Sequence, residues 1–167
     1  KSLLLQQLCT AAALGRPWLG LDTKQCKTFA MFCEDDDDEL LRRQASINAH
    51  YGCEMSDLED VLYISRTGLE NVLMDFDRRT DRPLPTPIFE QLRSAIADFG
   101  AQIIGLDTVA DVFGGNEIVK NQVRRFITAL RQMAMESQGV IILNSHPSLT
   151  GMNSGTGISG NVAWHNS

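Results

Sequence analysis

The chain contains no apolar run approaching the roughly eighteen residues needed to cross a bilayer, so no membrane-spanning helix is expected. Its opening Leu3, Leu4 and Leu5 give way to Gln6 and Gln7 before the stretch reaches the length of a signal-peptide core. Cysteine is sparse. The four residues Cys9, Cys26, Cys33 and Cys53 show no C-x-x-C spacing and no histidine at ligand distance, which excludes a zinc knuckle and a disulfide-stapled scaffold. Reduced thiols in a cytoplasmic protein are the plain expectation. Positive charge is short as well: 15 Lys and Arg face 21 Asp and Glu, the formal net charge is −6, and no Lys or Arg follows Arg131. Nothing global therefore draws the chain to nucleic acid or to an anionic membrane, and any polyanion has to be met locally.

What is present is an ordinary globular composition, 43% hydrophobic and 22% charged over 167 residues, enough for one domain around one core. The periodicities alternate in kind. Leu4, Leu5, Leu8 and Ala12, stopped by Gly15, predict a helix over residues 2–14. Phe29 through Cys33 form a continuous apolar run, the pattern of a strand covered on both faces, and a helix is expected from the acidic residues after it to about His50. Val61 through Ser65 and Val72 through Phe76 read as strands on either side of a Gly68 turn, and residues 82–87, with three prolines, read as a stiff connector. Phe89, Leu92, Ile96 and Phe99 predict a helix. So do Val119, Val123, Phe126, Ile127, Leu130 and Met133, a helix closed by Gly139. Apolar strands follow these helices at residues 103–107 and 140–144. Buried strands alternating with amphipathic helices imply an α/β fold, a mostly parallel sheet with helices on both faces.

In such a sheet, ligands sit beyond the carboxyl ends of the strands. That rule gathers Glu34, Asp107 and His146, each at or just past a strand end, with the chain's opening Lys1-Ser2. A Lys followed by Ser at the first turn of a helix is the tail of the phosphate-binding loop G-x-x-x-x-G-K-[ST], whose glycines would precede residue 1. Each residue also admits a plain structural reading: Ser2 as an N-cap beside a solvated lysine, Asp107 as a turn former, His146 as a loop histidine. Asp36, Asp37, Asp38 and Glu39 are assigned to capping the helix they precede. Glu34 is set apart, because the first residue off a buried strand is placed to deprotonate a water. Residues 148–160, rich in Gly and Ser, read as a functional loop or a linker.

Lys1-Ser2, Cys33-Glu34-Asp35-Asp36, Leu106-Asp107-Thr108 with Ala110-Asp111-Val112-Phe113-Gly114-Gly115, and Ser145-His146-Pro147-Ser148 with Ser159-Gly160 and Trp164-His165-Asn166 together resemble the ATPase domain of the RepA-like replicative helicases of plasmids and phages, within the RecA-like group. The resemblance covers nearly the whole chain and implies a RecA-like P-loop core. It also implies a ring-forming homo-oligomer, expected to be a hexamer, that uses ATP and Mg²⁺ to move on single-stranded DNA. By the same resemblance Lys1 and Ser2 meet phosphate and metal, Asp107 holds the metal, Glu34 is the catalytic base and His146 senses the γ-phosphate. The family's glycine-rich loop and arginine finger would fall outside residues 1–167, so the chain reads as one ATPase domain incomplete at both ends and nearly inactive by itself. Two other readings stay open: a RecA-like ATPase that assembles on DNA for recombination or repair without unwinding, and a nucleotide-binding interaction module that no longer hydrolyses.

Overall fold

The computed structural model describes residues 1–146 and Trp164. The chain opens with helix α1 (Ser2–Leu14), which Gly15 closes in a left-handed conformation, φ 62° and ψ 32°, that costs a glycine nothing. Strand β1 (Thr28–Phe32) and helix α2 (Asp37–Tyr51) follow, then strand β2 (Val61–Ser65) and a ribbon of β3 (Met74–Phe76) and β4 (Pro83–Pro85). Helix α3 (Pro87–Phe99), strand β5 (Ile103–Asp107), the short helix α4 (Val109–Val112), helix α5 (Lys120–Glu136) and strand β6 (Val140–Asn144), with a single 3₁₀ turn at Met55–Asp57 before β2, complete the described elements. The main sheet has the order β2-β1-β5-β6, and each of its pairings is parallel.

Alternation along each strand divides the side chains between two layers. Ala30 and Phe32 of β1, Tyr63 of β2, Ile103 of β5 and Ile142 of β6 face α1 and α2 in a small cluster with Leu5, Cys9 and Leu40. Phe29, Met31, Ile104, Leu106 and the neighbouring Ile141 and Leu143 face α3 and α5 in the larger core. There Phe113 and Phe126 pack with ring centroids 5.2 Å apart, and Trp164 meets Phe113 edge-on at the same separation.

Three expectations need correction. Residues 82–87 are not a mere connector: Pro83 and Pro85 lie in β4, paired antiparallel with Phe76 and Met74. A two-stranded ribbon has only edge strands, where a proline's missing N–H is tolerated. Thr86 then caps α3 and Pro87 occupies its first turn. The expected strand at 72–76 begins only at Met74, because the Leu73 amide donates to Val112 O instead, at 2.9 Å. In α1 the buried stripe is Leu5, Cys9 and Ala12 flanked by Gln6 and Thr10, while Leu4 is 48% exposed. Small and polar residues on that stripe let α1 lie close to the sheet and to α2. The closeness is measurable at Gly105, where an added Cβ would stand 2.7 Å from a Leu5 methyl. Among the described residues, no helix is long and apolar enough to cross a membrane.

Candidate active site

The registers align one row across the carboxyl edge of the sheet. Ser65 stands opposite Phe32, Phe32 opposite Asp107, and Asp107 opposite Asn144. Asp107 lies two residues beyond Gly105 and so shares its face of β5, the face covered by α1. Leu5 sits over Gly105, and further along α1 the Cys9 carbonyl accepts from Thr28 Oγ1 at the start of β1, so α1 runs antiparallel to the strands and its first turn, with Ser2, lies toward the edge that carries Asp107. Ser2 is not the N-cap that one reading allowed: Lys1 holds that position without a side-chain cap bond, and its carbonyl accepts the Leu5 amide at 3.0 Å. The first turn of α1 carries no acidic side chain to occupy its amides. Those donors and the exposed Lys1 ammonium leave a positively polarised helix end open at this edge.

Asp107 is only 1% exposed, and its Oδ1 has no hydrogen-bond partner. Neither has Nδ2 of its cross-strand neighbour Asn144. An unsatisfied buried polar atom costs about 1–3 kcal/mol, and here an acceptor and a donor belong to residues opposite in register at the strand ends. That pairing suits a magnesium phosphate, in which the carboxylate meets the cation and the amide meets an oxygen. Among the described residues no group of three or more His, Cys, Asp and Glu converges as a metal cage. Magnesium does not require one, since it is commonly held by one or two carboxylates together with substrate phosphates and water.

Glu34 follows β1 and Cys33, whose amide still bonds Asp107 O at 2.7 Å. Its side chain is 47% exposed, and His146 Nε2 lies 3.3 Å from both of its carboxylate oxygens. β5 separates their two strands, so the pair reaches across the strand that ends in Asp107. Residues 34, 107 and 146, far apart in sequence, therefore converge at one edge. Burial and then the nearby carboxylates of Asp111 and Asp107 push the Cys33 thiol up to about 12. It stays neutral and is no nucleophile near pH 7. Asp36 caps α2 through the Glu39 amide at 2.8 Å, as the acidic run predicted, and Asp37, Asp38 and Glu39 fill the first turn.

The sequence reading missed three features. Asn144 could have been found by applying the strand-end rule to the last residue of the apolar run rather than two residues later. The Asp35–Arg43 pair gave no signal, because nothing in a run of six acids singles out Asp35. Thr108 and Asp111, joined at 2.7 Å between Thr108 Oγ1 and Asp111 Oδ2, form a capping box that starts α4 and turns the chain away from the edge. The loop at 148–160, Pro147, His165 and Asn166 lie outside the described residues.

A parallel sheet with an open helix end, a buried strand-end aspartate and a nearby acid–histidine pair along one edge fits a P-loop ATPase-type domain with a RecA-like core. The family model for the AAA domain matches residues 1–152, and the chain belongs to that family. No curated protein matches the chain. An ATPase domain of this kind generally binds ATP together with Mg²⁺.

Proposed function

We propose that the protein hydrolyses ATP at this edge and uses the energy as the motor of a ring-forming, hexameric replicative helicase on single-stranded DNA. The observation that carries the hydrolytic part is the contact of His146 with Glu34 beside the buried, unpartnered Asp107. The helicase part is supported by the resemblance of the motif blocks to RepA-like enzymes. Lys1 and the first-turn amides of α1 bind the terminal phosphates, and Ser2 and Asp107 hold the ion. Bound Mg²⁺ supplies neutralisation of the charge that gathers on the phosphates. Glu34 accepts a proton from the attacking water, and its exposure leaves the carboxylate accessible to that water. His146 orients Glu34 and, once a γ-phosphate is present, reports its loss into the residues that follow. Asn144 offers its unpaired amide to a phosphate oxygen or to a water.

The deciding experiment uses the full-length protein. Glu34→Gln keeps the size of the side chain and removes the base, so ATP affinity by calorimetry should hold while turnover falls by about 10² to 10⁴. Unchanged turnover would remove Glu34 from the reaction. Single-stranded DNA should stimulate the wild-type rate and a forked duplex should be separated. Stimulation without strand separation would favour nucleotide-driven assembly on DNA, and ATP binding without phosphate release would favour the interaction module.

A further inference from the structure

The acidic run performs three separate jobs. Glu34 turns outward to His146, Asp36 caps α2, and Asp35 between them does neither. Both Asp35 oxygens are taken by one guanidinium: Arg43 Nη1 lies 2.6 Å from Oδ2 and Nη2 lies 2.9 Å from Oδ1. The two side chains are only 15% and 21% exposed. A planar, two-bond contact of this kind fixes orientation as well as distance. Arg43 belongs to α2, and it also meets Glu39 one turn earlier. The Asp35 carbonyl is held from the other side, by Ser65 Oγ at 2.8 Å from the end of β2. Before Glu34, the Cys33 amide is held by Asp107 O and the Phe32 carbonyl accepts the Arg66 amide at 2.8 Å. The residues on either side of Glu34 are thus tied to β5, β2 and α2, while the Glu34 side chain, in contact with His146, stays accessible to a ligand.

We infer that Asp35 is a positioning residue whose ion pair with Arg43 fixes the backbone carrying Glu34, so that breaking the pair slows turnover of bound ATP without weakening its binding. This rests on the reading of Glu34 as the base. A pair that merely secured the start of α2 would show in stability and leave the chemistry alone. Misplacing a reacting group by about 1 Å can cost about 10²-fold in rate, whereas phosphate and metal are bound by Lys1, Ser2 and Asp107 on other elements.

The test compares Asp35→Asn, Arg43→Lys and, as a control in the solvated first turn, Asp38→Asn in the full-length protein. Asn keeps the shape of Asp35 but loses the charge and one of the two bonds, and Lys cannot reproduce the fork. The first two variants should lower kcat by about tenfold or more with KM for ATP and the melting temperature nearly unchanged, and the control should match wild type. Without nucleotide, the ring resonances of His146 should shift in Asp35→Asn, because Glu34 moves against them. Unchanged kcat in both clamp variants, or loss of kcat only in step with lost ATP affinity and lost melting temperature, overturns the inference. Should Asp35→Asn fail to fold, Arg43→Lys decides. If the wild-type protein hydrolyses no ATP, the ATPase reading fails separately, and an unmoved His146 resonance then overturns the clamp as well.

Discussion

The two faces of the sheet are built from different materials. Toward α3 and α5 the layer is apolar and aromatic, with Phe29, Phe126, Ile96, Ile104 and Leu106 almost wholly buried. Toward α1 and α2 the apolar cluster is small, and much of the interface is a buried polar network. Gln6 Nε2 donates to Gln44 Oε1 at 3.0 Å and to Leu40 O at 2.8 Å, the Tyr63 hydroxyl donates to Gln6 O at 2.8 Å, and Gln44 Nε2 reaches Thr10 and Asn48. The candidate site belongs to this second face, since Ser2 lies on α1, Asp107 on the α1 side of β5, and Glu34 leads into α2. An apolar layer supplies stability without directional demands, whereas a hydrogen-bonded layer sets the relative placement of α1 and α2. The lesson is that stability and geometry are divided between the two faces, and three measurements can break or sharpen that division.

The largest effect should come from the apolar face. Phe126 is 0% exposed, and Phe126→Ala should cost about 3–5 kcal/mol through lost burial and the cavity left behind. Urea denaturation measures this, and if the faces are separate the ATP affinity of whatever remains folded should hold. A loss below 1 kcal/mol would mean that the aromatic cluster is not the main support.

A smaller effect, of a different kind, is expected from the polar face. Gln44→Leu removes the Gln44 bonds to Gln6 Nε2, Thr10 Oγ1 and Asn48 Oδ1, leaving Gln6 Nε2 with Leu40 O and Thr10 Oγ1 with Gln6 O and the Tyr63 hydroxyl, at a cost of about 1–3 kcal/mol. Because the network joins α1 to α2, this variant should also weaken nucleotide binding, which titration of the folded protein measures. A stability loss with unchanged affinity would dissolve the proposed contrast.

A further effect is one that both faces should share. Burial pushes the thiols of Cys9, on the polar face, and Cys33, on the apolar face, up to about 12. An unfolded thiol titrates near 8.5. Above that value the unfolded chain sheds protons that the folded chain retains, so the contribution of these thiols is complete below about pH 8.5 and declines as the pH rises toward 12. The urea midpoint should fall between pH 8 and pH 10.5, and replacing both cysteines by alanine should flatten the fall. Tyr63, raised well above its ordinary value mainly by burial, should preserve part of the slope in the double variant. An identical slope in wild type and variant would show that the thiols do not titrate differently on folding.

Much of this architecture was legible beforehand because it follows from local periodicity. The strand at Val61–Ser65, the strand ending in Asp107 and the glycine stop at Gly15 match the patterns that predicted them. The failures share one physical origin. The two prolines of β4 make a strand only because Phe76 and Met74 are there to pair with them, and Leu4 lies outside only because Gln6 and Thr10 find partners on α2 and β2. Whether a proline or a glutamine is tolerated in such a place depends on partners distant in sequence.

By itself, then, the order of residues determined the alternation of buried strands and amphipathic helices, the helix cap at Asp36, and the candidacy of Lys1, Ser2, Glu34, Asp107 and His146, because each depends on neighbours a few positions away. Only the tertiary structure decided the row from Ser65 to Asn144, the contact of His146 with Glu34 across β5, and the division of labour among Glu34, Asp35 and Asp36. Strand register and ion-pair choice are settled by chain segments that meet after long excursions. A local pattern carries no record of which segment will arrive beside it.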